Sequence, residues 1–520
     1  MKSIFIIFGL VVSAFGADYY VATNGTPLGT GSISQPWDIA SGLADNTVST
    51  NANHVVSAGD TIWLTSGTYG TGGAWFVRSK LRGTEASPII VRQQSSSRAI
   101  IDGGISGEGE WTTFWGFEIT NSSTNRYCTT EERPPGLNML GRGCKAVNLM
   151  VYNTGHPGIG FWDAVGDGGE SYGCLYWGVG IHSQNPGWNG VERGSAIYAQ
   201  NEIGDRLIED SVSFRNWTSG FKVYAEEGYG NGFNLNGNVS FLNGYQGFHI
   251  ETLTHPIDSL TLSSNISFAD STLTFGRDGV TNLTAQFNDN YVVNELDGSY
   301  QTLAYAASWE NLNMQRNQFV FTGTNDTWLD AAQYFSIIRG GSTQIVNSNS
   351  YYGGHSNLIN FRLHPYGKIE WDVMRGYTGW ESNGIVTPNV TPAQDHIKLR
   401  PNRYERGRGL LSVINWTGAT SISVDLTPLQ LANGERFEVR DAQDPVGSAL
   451  VTENFQSSSP EISFPLTNSS VAEVVGPHSH FTTKMGMHTG PEFNVFLILP
   501  MSRAGSATAN SATVGRVAVR

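Results

Sequence analysis

The sequence predicts an all-β chain: a right-handed parallel β-helix solenoid followed by a C-terminal antiparallel β-sandwich module. Three observations predict it. A short phrase repeats, in which Asn or Asp precedes alternating apolar residues: Asp210 with Val212 and Phe214, Asn238 with Val239 and Phe241, Asn265 with Ile266 and Phe268, Asn290 with Tyr291 and Val293, Asn317 with Phe319 and Phe321, Asn349 with Tyr351. The steps of 28, 27, 25, 27 and 32 residues suit one turn of a three-strand coil each. No single unit of that size can bury its apolar face, so only the stack makes a core. Second, the strands are three to five residues long and are separated by Gly and Asn turns, with almost no helical periodicity. Third, the chain holds 62 glycines and only 15% charged residues, as many tight turns require. An Asn at each turn tolerates the left-handed conformation, and its amide can bond the Asn one rung away.

The 520 residues fit one long solenoid plus a smaller domain. Met1-Lys2-Ser3, the apolar run Ile4 to Val12 and the small residues up to Ala17 read as a secretory signal over 1–17, so the protein is expected to be secreted, extracellular or periplasmic. The apolar run is about half of what crosses a bilayer. Three cysteines, Cys128, Cys144 and Cys174, allow at most one internal bridge, so disulfides do not hold this fold. The solenoid is expected over 18–390, its last rungs ending near Trp371 to Trp380. Residues 36–43 suit a short helix covering the open end of the coil, which would otherwise template aggregation. Two insertions, 121–142 and 163–194, are expected to project and wall a groove; the second carries Trp177, Trp188 and Glu192. Residues 396–500 alternate as strands of the sandwich, with Asn433-Gly434 as a hairpin signal between two of them. The Ala/Ser/Gly/Thr-rich tail, 501–520, reads as disordered.

The opening strands Tyr19–Val21, Thr61–Leu64, Gly67–Tyr69, Ile89–Val91 and Ile100–Asp102 resemble the amino-terminal part of secreted proteins with the pectate-lyase-like β-helix. That group includes polysaccharide lyases, glycoside hydrolases and epimerases. The resemblance implies a carbohydrate-active protein and leaves the chemistry to the site.

Aligning rungs on the shared phrase places Ile197-Tyr198-Ala199 over Val223-Tyr224-Ala225, then over Ile250-Glu251. With Ile197, Val223 and Ile250 inward, Lys222 and His249 point outward in one column, and Tyr198, Tyr224 and Glu251 in the next. β-Elimination from a polysaccharide needs a base for the proton at C5, a cation for the enolate and an acid for the leaving oxygen. Lys222 or His249 suits the base, Tyr224 or His249 the acid, and Arg277 the cation. His156, Trp162, Asp163, Tyr198, Gln200 and Trp188 are candidates for holding sugar, since aromatic faces suit the C–H faces of sugars. Asn201, Glu226, Glu227 and Glu251 form an oxygen-rich group suited to Ca²⁺. This mixture resembles the alginate and chondroitin lyases of the same fold, which implies a Lys base, an Arg and a Ca²⁺ held by Asn and Glu. His355 and His364 lack metal-ligand spacing and read as structural.

The expected function is a secreted enzyme that cleaves a uronic-acid polysaccharide by β-elimination, acting as a monomer. Two alternatives stand beside it: a glycoside hydrolase using two carboxylates among Asp163, Glu226, Glu227, Glu251 and Asp278, and a non-catalytic glycan-binding or surface protein. The formal charge of −14 argues against nucleic acid and anionic membrane as partners. It also opposes a polyanionic sugar unless local cations offset it.

Overall fold

The computed structural model describes residues 16–45, 54–94, 98–162, 168–294, 302–322, 333–353, 360–364, 367–477 and 486–501. Nearly all of the expected signal (1–15), Asp163, His355 and the tail from 502 lie outside these residues. The solenoid is a parallel β-helix with three faces; the earlier rungs give one short strand to each, while Thr302–Gln315 and Gln333–Asn347 run along both the second and the first. The first face stacks Asp18–Val21, Thr61–Leu64, Ile89–Gln93, Thr112–Trp115, Lys145–Val147, Glu170–Tyr172, Arg206–Glu209, Phe233–Asn236, Leu260–Ser263 and Asn282–Asn288 in parallel. The second runs from Phe76–Ser79 through Gly104–Gly107, Leu137–Met139, Ile159–Phe161, Ile197–Ala199, Phe221–Ala225 and Phe248–Thr252 to Leu273–Phe275. The third begins at Gly67–Gly70 and closes at Ile385–Pro388. Inward residues stack on their own kind, Phe221 on Phe248 with ring centroids 5.2 Å apart and Phe275 on Phe287 at 4.8 Å.

The Asn ladder forms, with a correction in register. Asn238, Asn265, Asn290, Asn317 and Asn349 each pass an Nδ2–H to the Oδ1 of the next, at 2.9–3.1 Å, until Asn349 donates to Glu381 Oε1 at 2.6 Å. Each Oδ1 also accepts the backbone N–H of the Asn below it, so buried turn groups are satisfied by the neighbouring rung. Asp210 is not part of this ladder. Ser211 holds that position and donates its N–H to Asn238 Oδ1, making the step 27 residues, while Asp210 pairs with Arg400 of the C-terminal module. The left-handed residue is not the Asn but the one before it: Asp210, Gly237, Ser264, Asp289, Arg316 and Ser348 all have φ between +49° and +69°. A second ladder, not anticipated, joins Asn216 to Asn243 and ends on the buried Asp270, which accepts from Ser240 Oγ and Asn243 N at 2.7 Å each.

The ends are capped by helices. Ile39–Gly42 follows Asp38, whose Oδ1 accepts the Ser41 N–H at 2.7 Å, a side-chain N-cap. Residues 371–380, expected as a last rung, instead contain the helix Trp371–Thr378, which buries Met374 and sets Trp371 edge-on to Tyr351; a further rung strand, Ile385–Pro388, follows.

Both insertions are shorter than expected. Leu137–Met139 belongs to the second face, Glu170–Tyr172 to the first and Leu175–Trp177 to the third. Trp177 is therefore buried, stacked on Tyr152 at 4.3 Å, and lines no groove. What leaves the coil is held as one piece: Tyr127–Cys128 pairs in parallel with Ile181–Ser183, which pairs antiparallel with Glu192–Arg193. Two fully buried arginines fasten it to backbone carbonyls, Arg126 to Gly180 O at 2.7 Å and Arg133 to Ser123 O at 2.7 Å.

The module from His396 to Pro500 is a sandwich of a five-stranded and a two-stranded antiparallel sheet. Asn433-Gly434 is a turn, but the strands it separates, Ser421–Asp425 and Arg436–Asp441, lie in different sheets, so it makes no hairpin. The module covers the third face rather than hanging beside it. Phe493 stacks on Phe268 at 4.5 Å and meets Phe241 edge-on at 5.2 Å; Phe214, Val239, Ile266 and Val320 join Leu410, Ile414, Val495 and Leu497 in one buried cluster. Arg403 pairs with both Glu170 and Glu209 on the first face.

Two outcomes are expected. A chain ending at residue 390 uncovers this apolar stripe and should aggregate on size-exclusion chromatography. Phe493→Ala in the full chain should lower its stability by about 3–5 kcal/mol in denaturant unfolding. A truncated chain that stays monomeric with an unchanged midpoint would show the cover to be dispensable. Burial pushes the Asp270 carboxyl up to about 7. The folded state then binds a proton that the unfolded chain releases near 4, so the contribution of this carboxyl to stability is largest at low pH and is lost as pH rises from about 4 through about 7. Asp270→Asn, which extends the amide ladder, should raise the thermal midpoint relative to the parent more at pH 8 than at pH 5; an equal difference at the two pH values would rule out this titration.

Candidate active site

Tyr198, Lys222, His249 and Thr274 lie directly opposite one another on four successive rungs of the second face, with Gly160 and Asn138 continuing the column. Tyr224 and Glu251 form the neighbouring column. Tyr198 had been expected beside Tyr224; the strand Ile197–Ala199 instead sets Ile197 against Phe221 and Tyr198 against Lys222. A two-residue slip keeps inward residues inward, so alternation alone does not detect it.

The Lys222 ammonium lies 4.2 Å from the centroid of the Tyr224 ring and 5.8 Å from that of Tyr198. Trp162 stacks on Tyr198 with centroids 4.8 Å apart and donates Nε1–H to Asn138 Oδ1 at 2.8 Å. Gly160 makes room for this, because a Cβ there would stand 2.4 Å from Trp162 Nε1. Gln200 Nε2 reaches the Tyr198 hydroxyl at 3.5 Å. His156 lies edge-on to Tyr198 at 5.7 Å, and its Nδ1 accepts the Ser195 N–H at 3.2 Å. His249 Nε2 donates to Glu251 Oε1 at 3.1 Å, and Arg277 Nη1 approaches the same oxygen at 3.5 Å.

Burial sets the protonation states. It depresses the Lys222 ammonium to about 8, against the pull of Glu251 and Glu226 and with the help of the Arg193 guanidinium. It holds His156 well below the usual imidazole range, with Arg193 and Lys222 adding to the effect, so that ring is neutral. His249 is lowered by burial too, although its bond to Glu251 opposes this; a neutral imidazole therefore carries its proton on Nε2. Burial pushes Glu251 up, but the His249 hydrogen bond and the charges of Arg277 and Lys222 leave it below the ordinary carboxylate value. Tyr224 is raised by burial and by Glu226 and Glu251, so its phenol keeps its proton.

Of the residues expected from sequence, the structure gathers Lys222, Tyr224, His249, Glu251, Arg277, Tyr198, Gln200, Trp162 and His156. Trp188 stands apart, exposed on the wall insertion, with the Arg193 guanidinium over its ring at 5.1 Å. The expected Ca²⁺ group does not come together. Asn201 is buried at a turn, its Nδ2 bonded to the carbonyls of Gly204 and Asn231 at 2.8 Å; Glu226 and Glu227 are exposed past the strand end; Glu251 is held by His249 and Arg277. Among the described residues no three His, Cys, Asp or Glu side chains converge as metal ligands. These four residues do not make a donor set that fits the ion. Sequence reasoning missed Arg193, which acts electrostatically on Lys222, His156 and Tyr198. It sits in an insertion where no rung period applies, and only its place beside Glu192 in the predicted wall marked the segment.

Lys222 should titrate near pH 8, well below an ordinary lysine, when its side-chain nitrogen is followed by heteronuclear NMR. Glu251→Gln, which removes a favourable negative charge, should move the midpoint lower. A midpoint above 10 in the parent protein would contradict the burial argument.

No protein-family model and no curated protein matches the chain. Solved structures that resemble it include a pectate lyase, 16% identical, covering 58% of this chain and 78% of that one with a TM-score of 0.37. A rhamnogalacturonan lyase is 13% identical over 71% of this chain and 87% of its own, with a TM-score of 0.41. A lacto-N-biosidase from Eubacterium ramulus is 10% identical over 72% and 68%, with a TM-score of 0.36. None of these overlaps is close enough to carry a residue role over to this chain.

Proposed function

We propose that the second face is the active site of a polysaccharide lyase that cleaves a uronic-acid polymer by β-elimination. The observation that carries this reading is Lys222, a lysine lowered to about 8 and placed one rung from both Tyr198 and His249. A base poised near the working pH is what proton abstraction beside a carboxylate requires. Neutral Lys222 takes the proton from C5. The C–H electron pair passes through the enediolate of the uronate carboxyl, forms the C4–C5 double bond and expels the C4 oxygen. Tyr224, whose ring lies against Lys222, gives its phenolic proton to that oxygen. The sugar ring rests on the Trp162–Tyr198 stack.

The hydrolase alternative needs one carboxyl that stays protonated and a second that stays ionised. Glu251 lies below its ordinary value and is paired with His249 and Arg277, so it does not supply the protonated carboxyl. Export, expected from residues 1–17, suits a polymer too large to enter a cell.

Purified protein should release products with the ultraviolet absorbance of an unsaturated uronate from at least one of alginate, polygalacturonate, rhamnogalacturonan or chondroitin sulfate. Its kcat/KM should rise with pH up to about 8, as Lys222 loses its proton. Lys222→Ala and Lys222→Arg should each lower turnover by about 10²–10⁴-fold, since a guanidinium does not deprotonate. New reducing ends without absorbance would replace the lyase with a hydrolase; binding with neither signal would identify a glycan-binding protein.

A further inference from the structure

The site contains a cation that pairs with no carboxylate among the described residues. Arg277 is spent on Glu251, and His156 and His249 are neutral. Lys222 must lose its proton to act. Arg193 is different. It lies half-buried on the two-residue strand of the wall insertion, opposite Ile181, and among the described residues it forms no ion pair with a carboxylate. Burial lowers its guanidinium, with only Tyr198 and Glu226 pulling the other way. A partly desolvated guanidinium without a counter-ion is costly, and an arriving anion offsets that cost.

Its position is built. Two residues on, the Ser195 N–H is tied to His156 Nδ1 at 3.2 Å, and five residues on, Tyr198 enters the second face opposite Lys222. On the other side its guanidinium covers the ring of Trp188, which is 45% exposed at the tip of the insertion. That tip is closed by Ser183 N–H to Val191 O at 2.9 Å and Gly190 N–H to Ser183 O at 2.9 Å, with Asn185 fixed by the Thr130 N–H at 3.0 Å. The insertion is thus a fixed arm.

We propose that Arg193 is the specificity-determining residue of the site, binding the carboxylate of the uronate whose C5 faces Lys222, while Trp188 stacks on the adjoining sugar. This rests on the lyase reading above, and it assigns enolate neutralisation to Arg193 instead of Arg277. Guanidinium and carboxylate match in a bidentate fork, so the arm selects an acidic sugar over its neutral ester. Locally, Arg193 also offsets part of the repulsion that a chain of formal charge −14 exerts on a polyanion.

The test compares whichever acidic polymer of the four the parent cleaves with the same polymer methyl-esterified at its carboxyls. The parent should prefer the acid, and Arg193→Ala should lower kcat/KM on the acid by about 10²–10³-fold and on the ester, which develops an enolate but carries no carboxylate to bind, by a clearly smaller factor, which narrows the preference. Arg193→Lys should restore part of it, and Trp188→Ala should raise KM on long chains with kcat little changed. Circular dichroism and an unchanged thermal midpoint separate these effects from misfolding, and oligouronate binding to Lys222→Ala with and without Arg193→Ala, read by calorimetry, repeats the comparison without turnover. An Arg193→Ala enzyme that keeps the full acid-over-ester preference overturns this inference alone if Lys222→Ala is inactive. An active Lys222→Ala enzyme, or a parent that cleaves none of the acidic polymers, overturns the lyase reading and this inference with it.

Discussion

Everything in this molecule depends on the turn between the first and third faces. The chain must reverse there with its backbone buried, and a buried N–H without a partner costs roughly 1–3 kcal/mol. The ladder from Ser211 to Glu381 solves this by borrowing acceptors from the next rung, and the residue just before each ladder position takes the left-handed conformation that aims the amide upward. Because each rung's satisfaction lies in its neighbour, spacing and register are fixed together. Strands about 4.8 Å apart follow, and with them the one-rung separations among Tyr198, Lys222 and His249. A slip anywhere in the ladder would move the site.

A three-faced coil has three outer surfaces, and the chain treats them unequally. The third is apolar on its outside at Phe214, Phe241 and Phe268 and is sealed by the module. The first is docked at one edge by Arg403 and Tyr404, which surround the buried Glu170 together with Lys145. Removing one partner of such a buried group would leave an uncompensated charge, which is why these side chains act as a set. The second face keeps outward columns that are chemically mixed, with buried Tyr198 and half-buried Lys222 and His249 beside half-buried Tyr224 and Glu251. The insertion is anchored by Arg126 and Arg133, and Arg126 also ties it to the module through the Val475 carbonyl.

At the lysine and histidines of that face burial outweighs the surrounding charges, whereas at Glu251 the hydrogen bond and the charges prevail. Two carboxylates pull Lys222 upward, yet loss of water around the ammonium prevails and lowers it. The same loss keeps His156 and His249 neutral. A lysine in water would be protonated throughout the physiological range and useless as a base; enclosed between two phenol rings it is not.

The sequence by itself determined the repeat, the three-strand rung, the sandwich after residue 396 and the residue types on Phe221–Ala225 and Phe248–Thr252, because periodic burial and turn chemistry are local properties. Lys222 opposite His249 and Tyr224 opposite Glu251 were legible for that reason: their strands have equal length and matching phrases. Tyr198 was misplaced by two residues because its strand is shorter and parity survives the slip. Asp210 begins the repeated phrase, yet the ladder hydrogen bond comes from Ser211. The tertiary arrangement was needed to show that the module seals the third face, that Trp177 packs inside that seal, and that Arg193 acts electrostatically on Lys222 from an insertion with no period of its own. Each of these depends on which distant surfaces meet, and contacts between segments far apart in the chain leave no pattern along it.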